Sequence, residues 1–194
     1  MKNFVMGVIV TLLAVLIFCV LFVRSSYMPV AASDPPLPFE RTLAKIGLHA
    51  RIQREAPERD VSHFATADLV AGAQVYQKNC AFCHGLPNQP PSAASQGMFP
   101  HAPQLFTQQE TVSDDPAGVT FWKVKNGIRL TGMPGFKSAL SDEQIWQVAA
   151  LLAHSESLPP EVLDALKPPP IPILVTAGAA NPASVPAAET PKPK

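Results

Sequence analysis

The sequence predicts an all-α protein in which one compact helical domain follows a membrane-spanning helix. Two observations predict this class: a charge-free apolar run near the start of the chain, and helical spacing of apolar residues in later segments. The 194 residues include 22 prolines, which favours one domain of about 95 residues with extended flanking segments. Basic and acidic residues number 15 each, and no basic stripe is present, so nucleic acid is not an expected partner.

We divide the chain into four parts on this basis. Residues 1–24 are expected to form a transmembrane anchor, and residues 25–62 a Pro-rich linker that contains a short amphipathic helix. Residues 63–157 form the helical domain. Residues 158–194 are rich in proline and alanine. We expect this tail to be disordered, because it cannot bury enough apolar surface to offset the loss of chain entropy.

The predicted anchor is Phe4–Val23, which carries no charge and is longer than the usual apolar core of a signal peptide. We therefore expect a membrane helix that is retained. Cleavage stays open as an alternative, because residues 30–32 (Val-Ala-Ala) resemble a small-residue processing site. The residues before Cys19 partly resemble a lipoprotein signal, but the large side chain of Phe18 argues against processing there.

A second helix is predicted between Phe39 and about Ala56. Its apolar residues recur at helical spacing: Phe39, Leu43, Ile46 and Ala50. Pro57 marks its end, since proline removes a backbone donor. We expect this stripe to pack against the helical domain, with the membrane surface or a partner protein as the alternatives.

The chemistry of the chain is predicted from Cys80-Ala81-Phe82-Cys83-His84. Two cysteines three residues apart near a helix end lie on one face, and the adjacent histidine can reach a metal at the centre of a flat cofactor. This C-x-x-C-H pattern is the attachment signature of c-type haem. A structural zinc site needs a second pair of ligands, and a thioredoxin-like dithiol follows a strand. Those two sites and a plain disulfide remain as alternatives.

A haem of this type needs a sixth iron ligand, and Met133 is the candidate. Its thioether sulfur is a soft ligand that suits low-spin iron, and a His/Met pair raises the reduction potential. The glycines and proline around it predict a non-helical loop that can turn one side chain inward. Met98 and His101 are alternative ligands, and Met133 itself has the alternative role of an ordinary core methionine.

Two long helices are predicted to frame these residues. Thr66–Asn79 leads into the cysteine motif, and its Gly72 permits the close approach of another helix. The closing helix begins at a capping box formed by Ser141 and Gln144, and its apolar stripe includes Trp146. We expect these two helices to cross.

A short helix is predicted at Thr120–Asn126, where Gly127 is a natural C-cap. The indole N–H of Trp122 and the guanidinium of Arg129 are donors able to reach haem propionates. The alternatives are packing in the core for Trp122 and solvation for Arg129.

Taken together, these separate pieces resemble the class I cytochrome c family. The resemblance covers about Ala65 to Ser155, half of the chain. It depends on five pieces: Gly72 with Tyr76, Cys80 to Gly85, Pro103-Gln104-Leu105, the Met133-Pro134 loop and the closing helix with Trp146.

The resemblance implies a role for each matching residue. Cys80 and Cys83 would form thioethers to a single haem c, and His84 and Met133 would bind its iron. The carbonyl oxygen of Pro103 would accept the second imidazole N–H of His84 and so orient the ring. No residue is expected to be catalytic.

The resemblance also implies a function. We expect a membrane-tethered monohaem electron carrier, not an enzyme, which exchanges single electrons with redox protein donors and acceptors. Its location would be the bacterial inner membrane, as a single-pass protein with the haem domain in the periplasm. Membership of a respiratory or dehydrogenase complex is consistent with this chemistry. The alternative is a haem-based sensor or haem enzyme, which would require a displaceable sixth ligand.

Overall fold

The computed structural model describes residues 1–107 and 115–168. Within these ranges the chain forms eight helices and no strand, which confirms the all-α prediction. The helices are α1 (Lys2–Arg24), α2 (Glu40–Glu55), α3 (Thr66–Asn79), α4 (Ala81–His84), α5 (Ala93–Gln96), α6 (Ala117–Asn126), α7 (Asp142–Ala153) and α8 (Pro160–Ala165). Most of the tail predicted to be disordered, residues 169–194, lies outside the described residues.

Helix α1 contains the apolar run. Its 23 residues correspond to roughly 35 Å at the α-helical rise, which exceeds the ~30 Å hydrocarbon core of a bilayer. None of its residues is buried. The helix is therefore long enough and apolar enough to cross a membrane.

The core of the domain is built where α3 packs against α7. Tyr76 of α3 and Ile145 and Leu151 of α7 are fully buried there. Gly72 lies at the point of closest approach: a Cβ on this residue would lie 2.3 Å from the carbonyl oxygen of Gln147. The backbones therefore approach more closely than any side chain allows, as the glycine predicts.

Helix α7 begins at the predicted capping box. The Ser141 hydroxyl accepts the backbone N–H of Gln144 at 3.2 Å, and the Gln144 side chain accepts the backbone N–H of Ser141 at 2.9 Å. Two backbone donors of the first turn are thereby satisfied. The same helix packs against α6, where the rings of Phe121 and Trp146 stack with centroids 4.3 Å apart. This stack holds α6 against α7.

The core extends beyond the predicted end of the helical domain at residue 157. Helix α8 packs against α3, and Val162 and Leu166 are 0% and 2% exposed. The sequence predicts a disordered tail over residues 158–194, but Pro160–Ala165 is helical. Pro160 in the first turn starts the helix without loss of a hydrogen bond, because that N–H has no partner within a helix. The segment is thus part of the core.

Helix α2 contacts the domain through a different face from the one predicted. Ile52 is buried near α6, and the Trp122 indole N–H donates to Glu55 at 3.2 Å. The predicted apolar stripe is exposed instead, with Phe39, Leu43 and Ile46 more than 60% accessible. The packing role expected for this stripe is therefore wrong.

Gly72→Ala should lower the free energy of unfolding by about 1–3 kcal/mol, because the added Cβ would overlap the Gln147 carbonyl and force α3 and α7 apart. Denaturant unfolding of the full chain, followed by far-ultraviolet circular dichroism, measures this loss. Gly47→Ala in α2 is the matched control. No atom lies within 4 Å of its added Cβ, so helix propensity should leave stability unchanged or raise it by up to about 1 kcal/mol. Equal losses in the two variants would contradict the proposed crossing.

Candidate cofactor site

The cysteine motif lies at the junction of α3 and α4. The backbone N–H of Cys80 donates to the Tyr76 carbonyl at the end of α3, and the N–H of His84 donates to the Cys80 carbonyl at 2.9 Å. The chain then leaves the helix at Gly85, whose φ of 72° lies in the left-handed region that glycine adopts without strain. One short turn therefore carries both thiols and the imidazole.

Both cysteines of the motif are free thiols. Cys80 is buried against the core, whereas Cys83 is half-buried. Burial, assisted by the neighbouring Cys83, raises the pKa of the Cys80 thiol to about 12. The thiol is therefore neutral at physiological pH, and it is available for a covalent bond to a cofactor rather than held in a disulfide.

The imidazole of His84 is oriented by the backbone. Its Nδ1 lies 2.8 Å from the carbonyl oxygen of Pro103, the pairing that the resemblance implied. Because a carbonyl only accepts, Nδ1 carries the proton and Nε2 keeps its lone pair. Burial lowers the pKa of His84, although the hydrogen bond to Pro103 opposes this effect. The ring is therefore held neutral, with the lone pair of Nε2 available to a metal ion.

The segment that carries the Pro103 carbonyl is held in place by Ser95, which sequence reasoning did not identify, and by Gln104, to which it gave no role. Ser95 is 2% exposed, and its hydroxyl donates to the carbonyl of Ala102 at 2.8 Å. The Gln104 amide donates to Ser95 Oγ at 3.3 Å and contacts the Cys83 carbonyl at 3.4 Å. Ser92 is the N-cap of the short helix α5, and its hydroxyl accepts the backbone N–H of Ser95, three positions further on. This serine was the one signal in the sequence for the helix.

Tyr76 joins the motif to the core. Its hydroxyl donates to the Gly85 carbonyl at 2.8 Å, and its ring packs edge-on against Phe106 with centroids 5.1 Å apart. A buried phenol needs such a partner. Gly85 is also closely approached by Gln104, whose Oε1 would lie 2.2 Å from a Cβ at that position. The segment after His84 is thus fixed from two sides.

Met133 lies in a loop that packs against the C-terminal end of α6. Its carbonyl accepts the backbone N–H of Ile128 at 3.1 Å, and its own N–H donates to the Thr131 hydroxyl at 3.1 Å. Gly127, with φ of 70°, allows the returning chain to pass within van der Waals distance, since a Cβ there would lie 2.5 Å from the N of Gly135. The Met133 side chain is partly buried against the hydrophobic core.

Three of the other residues weighed for this site have partners of their own. The sulfur of Met98 lies against Gly132, 2.6 Å from the position of a Cβ there. The Nδ1 of His101 lies 3.3 Å from the Ser95 carbonyl. The Trp122 N–H donates to the Glu55 carboxylate at 3.2 Å. The fourth residue, Arg129, is exposed.

Two surface cavities in the described part of the chain lie away from the motif. They have volumes of about 560 and 420 Å³ and lie beside α2 and α6. Pro57 lines both of them, and neither is lined by a residue of the cysteine motif.

The donors of the motif fit a c-type haem. The two thiols are free, and the neutral histidine presents Nε2 while its Nδ1 is engaged by the backbone. Met133, which lies in a loop and not in a helix, carries a thioether that is a candidate second ligand. Imidazole and thioether are borderline and soft ligands, which suit iron in a porphyrin, and the two thiols are suited to covalent bonds at the rim of the porphyrin.

Comparisons with known proteins identify a related family and one relative. Residues 67–152 match the family model of cytochrome c oxidase, cbb3-type, subunit III. The quinohemoprotein alcohol dehydrogenase ADH-IIG of Pseudomonas putida is 30% identical over 117 residues, which cover 57% of this chain and 15% of the relative. No solved structure matches the chain.

The matched residues span α3 to α7, and they include the cysteine motif and the Met133 loop. Residues 67–152 of this chain therefore form a c-type cytochrome domain, consistent with class I, and this family implies covalently bound haem c.

Proposed function

We propose that this protein is a membrane-tethered one-electron carrier with a single haem. The observation that carries the proposal is the ligand set: an imidazole fixed at Nδ1 by the Pro103 carbonyl, and a thioether on a loop fixed to α6. An iron with two protein axial ligands has no open position for a substrate. Such a centre exchanges electrons and does not turn over small molecules.

Four side chains would hold the haem. Cys80 and Cys83 would form the thioethers, and His84 and Met133 would be the axial ligands. The bound haem supplies a metal centre that gains and loses one electron. The chain contributes the orientation of the imidazole through Pro103, and a buried core that excludes water from one side. A thioether opposite histidine would raise the reduction potential.

The exposed surface near the motif offers a place for electrons to cross. Phe82, between the two cysteines, is 74% exposed, and Leu130, in the loop before Met133, is 94% exposed. Large apolar side chains at the surface often belong to contact sites. We propose that redox partners dock over these two residues.

The relatives suggest the class of those partners. One is named as a dehydrogenase and the matching family as an oxidase subunit. We propose that the protein accepts electrons from a dehydrogenase and passes them to a membrane oxidase, either as a separate carrier or as a subunit. A cytochrome domain in the periplasm, held by α1 in the inner membrane, would serve both partners.

Met133→Ala should leave the haem covalently attached but remove the soft axial ligand. The reduction potential should fall by roughly 0.1–0.3 V, within the ~0.8 V range that axial ligands set, since a harder water ligand favours ferric iron. The ferrous variant should bind carbon monoxide, whereas the native protein should not. Redox titration and optical spectra measure both effects. Met98→Ala is the matched control. It should keep the native reduction potential and should not bind carbon monoxide.

If the native protein binds carbon monoxide freely, and its spectrum is unchanged by Met133→Ala, the carrier assignment is wrong. A sensor or enzyme with a displaceable ligand would then be the better description. If carbon monoxide binds to the Met98→Ala variant and not to the Met133→Ala variant, Met98 is the axial ligand.

Membrane attachment is tested separately. The full chain should remain with the membrane fraction through a carbonate wash, because α1 presents more than enough apolar length to span the bilayer. Replacing residues 4–23 by a cleavable signal should release a soluble holoprotein. A mature N-terminus at Ser33 in the native protein would show that the helix is removed and would contradict the anchor.

A further inference from the structure

Helix α2 presents two different faces. One face is occupied by the domain: Ile52 is 4% exposed, the Glu55 carboxylate accepts the Trp122 N–H, and the Arg41 guanidinium lies 5.4 Å from the Phe99 ring centroid. These contacts lie at both ends of the helix. The helix is therefore fixed to the haem domain.

The other face is apolar and uncovered. Its large side chains are exposed at 77%, 67% and 62%: Phe39, Leu43 and Ile46. Ala50 continues the same face and is also exposed. Residues spaced by three and four positions form a continuous stripe on a helix. The domain buries the opposite side, so this stripe is available to something outside the domain.

We propose that this apolar face lies in the headgroup region of the phospholipid bilayer to which α1 is anchored. This inference rests on the proposed membrane attachment. Only residues 25–39 separate the end of α1 from the start of α2. Even fully extended, these 15 residues reach no more than about 54 Å. The chain is shortened further, because the Asp34 carboxylate accepts the N–H groups of Val30 and Ala31.

The charge of α2 favours lipid over a second protein. The helix carries four basic and two acidic residues. In its last turns Arg51 and Arg54 both pair with Glu55, so the helix keeps a net positive charge. A basic helix with exposed Phe, Leu and Ile on one face is typical of segments that lie at the surface of an anionic membrane. Tyr27, 86% exposed just after α1, is a residue type found at that level of the bilayer.

The consequence is a fixed orientation of the haem domain. Because α2 is joined to the domain through Ile52, Glu55 and Arg41, membrane contact along its opposite face would prevent the domain from turning freely on its linker. The linker would then act as a short hinge between two membrane contacts.

Cysteine accessibility in the full-length holoprotein tests this proposal. Ile46→Cys lies on the apolar face, and Ala44→Cys is the matched control. Ala44 is also exposed, and it precedes Ile46 by two residues, which places it about 160° away around the helix. Both are made with Cys19→Ala, so that neither variant carries a second free thiol once Cys80 and Cys83 hold the haem. The chains are placed in nanodiscs that contain anionic phospholipid, one chain per disc.

The readout is the rate of reaction with a charged maleimide, measured by mass and divided by the rate for the same variant in denaturant. We expect the thiol at position 46 to react at least tenfold more slowly than the thiol at position 44. If the two thiols react at equal rates in discs that contain the chain, the proposed contact of α2 with the membrane is wrong, while the α1 anchor stands. The apolar face would then be a site for a protein partner. Protection at position 46 only when a disc holds two chains would assign the face to a second copy, and would also overturn it. A chain that does not enter the discs would contradict the anchor itself.

Discussion

The close approach of α3 and α7 at Gly72 is the contact on which the rest of the domain depends. A glycine there allows the helix backbones to meet, and this places the C-terminal end of α3, with Cys80, against the buried core. The turn that follows presents the second thiol and the imidazole together. The cofactor site is therefore an extension of a helix crossing, and not an independent loop structure.

The opposite half of the site depends on α7 through a second contact. Trp146 stacks on Phe121 of α6, and α6 ends where the Met133 loop begins. The loop is bonded back onto that helix, since the N–H of Phe136 donates to the Val124 carbonyl at 3.0 Å. One helix, α7, thus supports the elements that carry both proposed axial ligands. This arrangement explains how two residues far apart in sequence can serve one metal.

Local signals in the sequence were enough to predict much of this. Thr66–Asn79 is helical over the predicted bounds, and the Ser141 capping box is formed as predicted. Contacts between residues far apart in the sequence could not be predicted. Val162 and Leu166 lie only four positions apart in a Pro-rich segment, and this pattern is too short to indicate burial. Their burial is evident only from the packing of α8 beside α3. The stripe on α2 was recognised as apolar, but a periodic pattern does not identify what covers it.

The central claim is that the iron has two protein ligands, His84 and Met133. Iron K-edge X-ray absorption of the native holoprotein tests this most directly, because sulfur scatters differently from nitrogen and oxygen at bonding distance. We expect five nitrogen neighbours, from the porphyrin and His84, and one sulfur neighbour that is absent in Met133→Ala. A native spectrum with six light-atom neighbours, or a sulfur signal that persists in Met133→Ala, would contradict the claim.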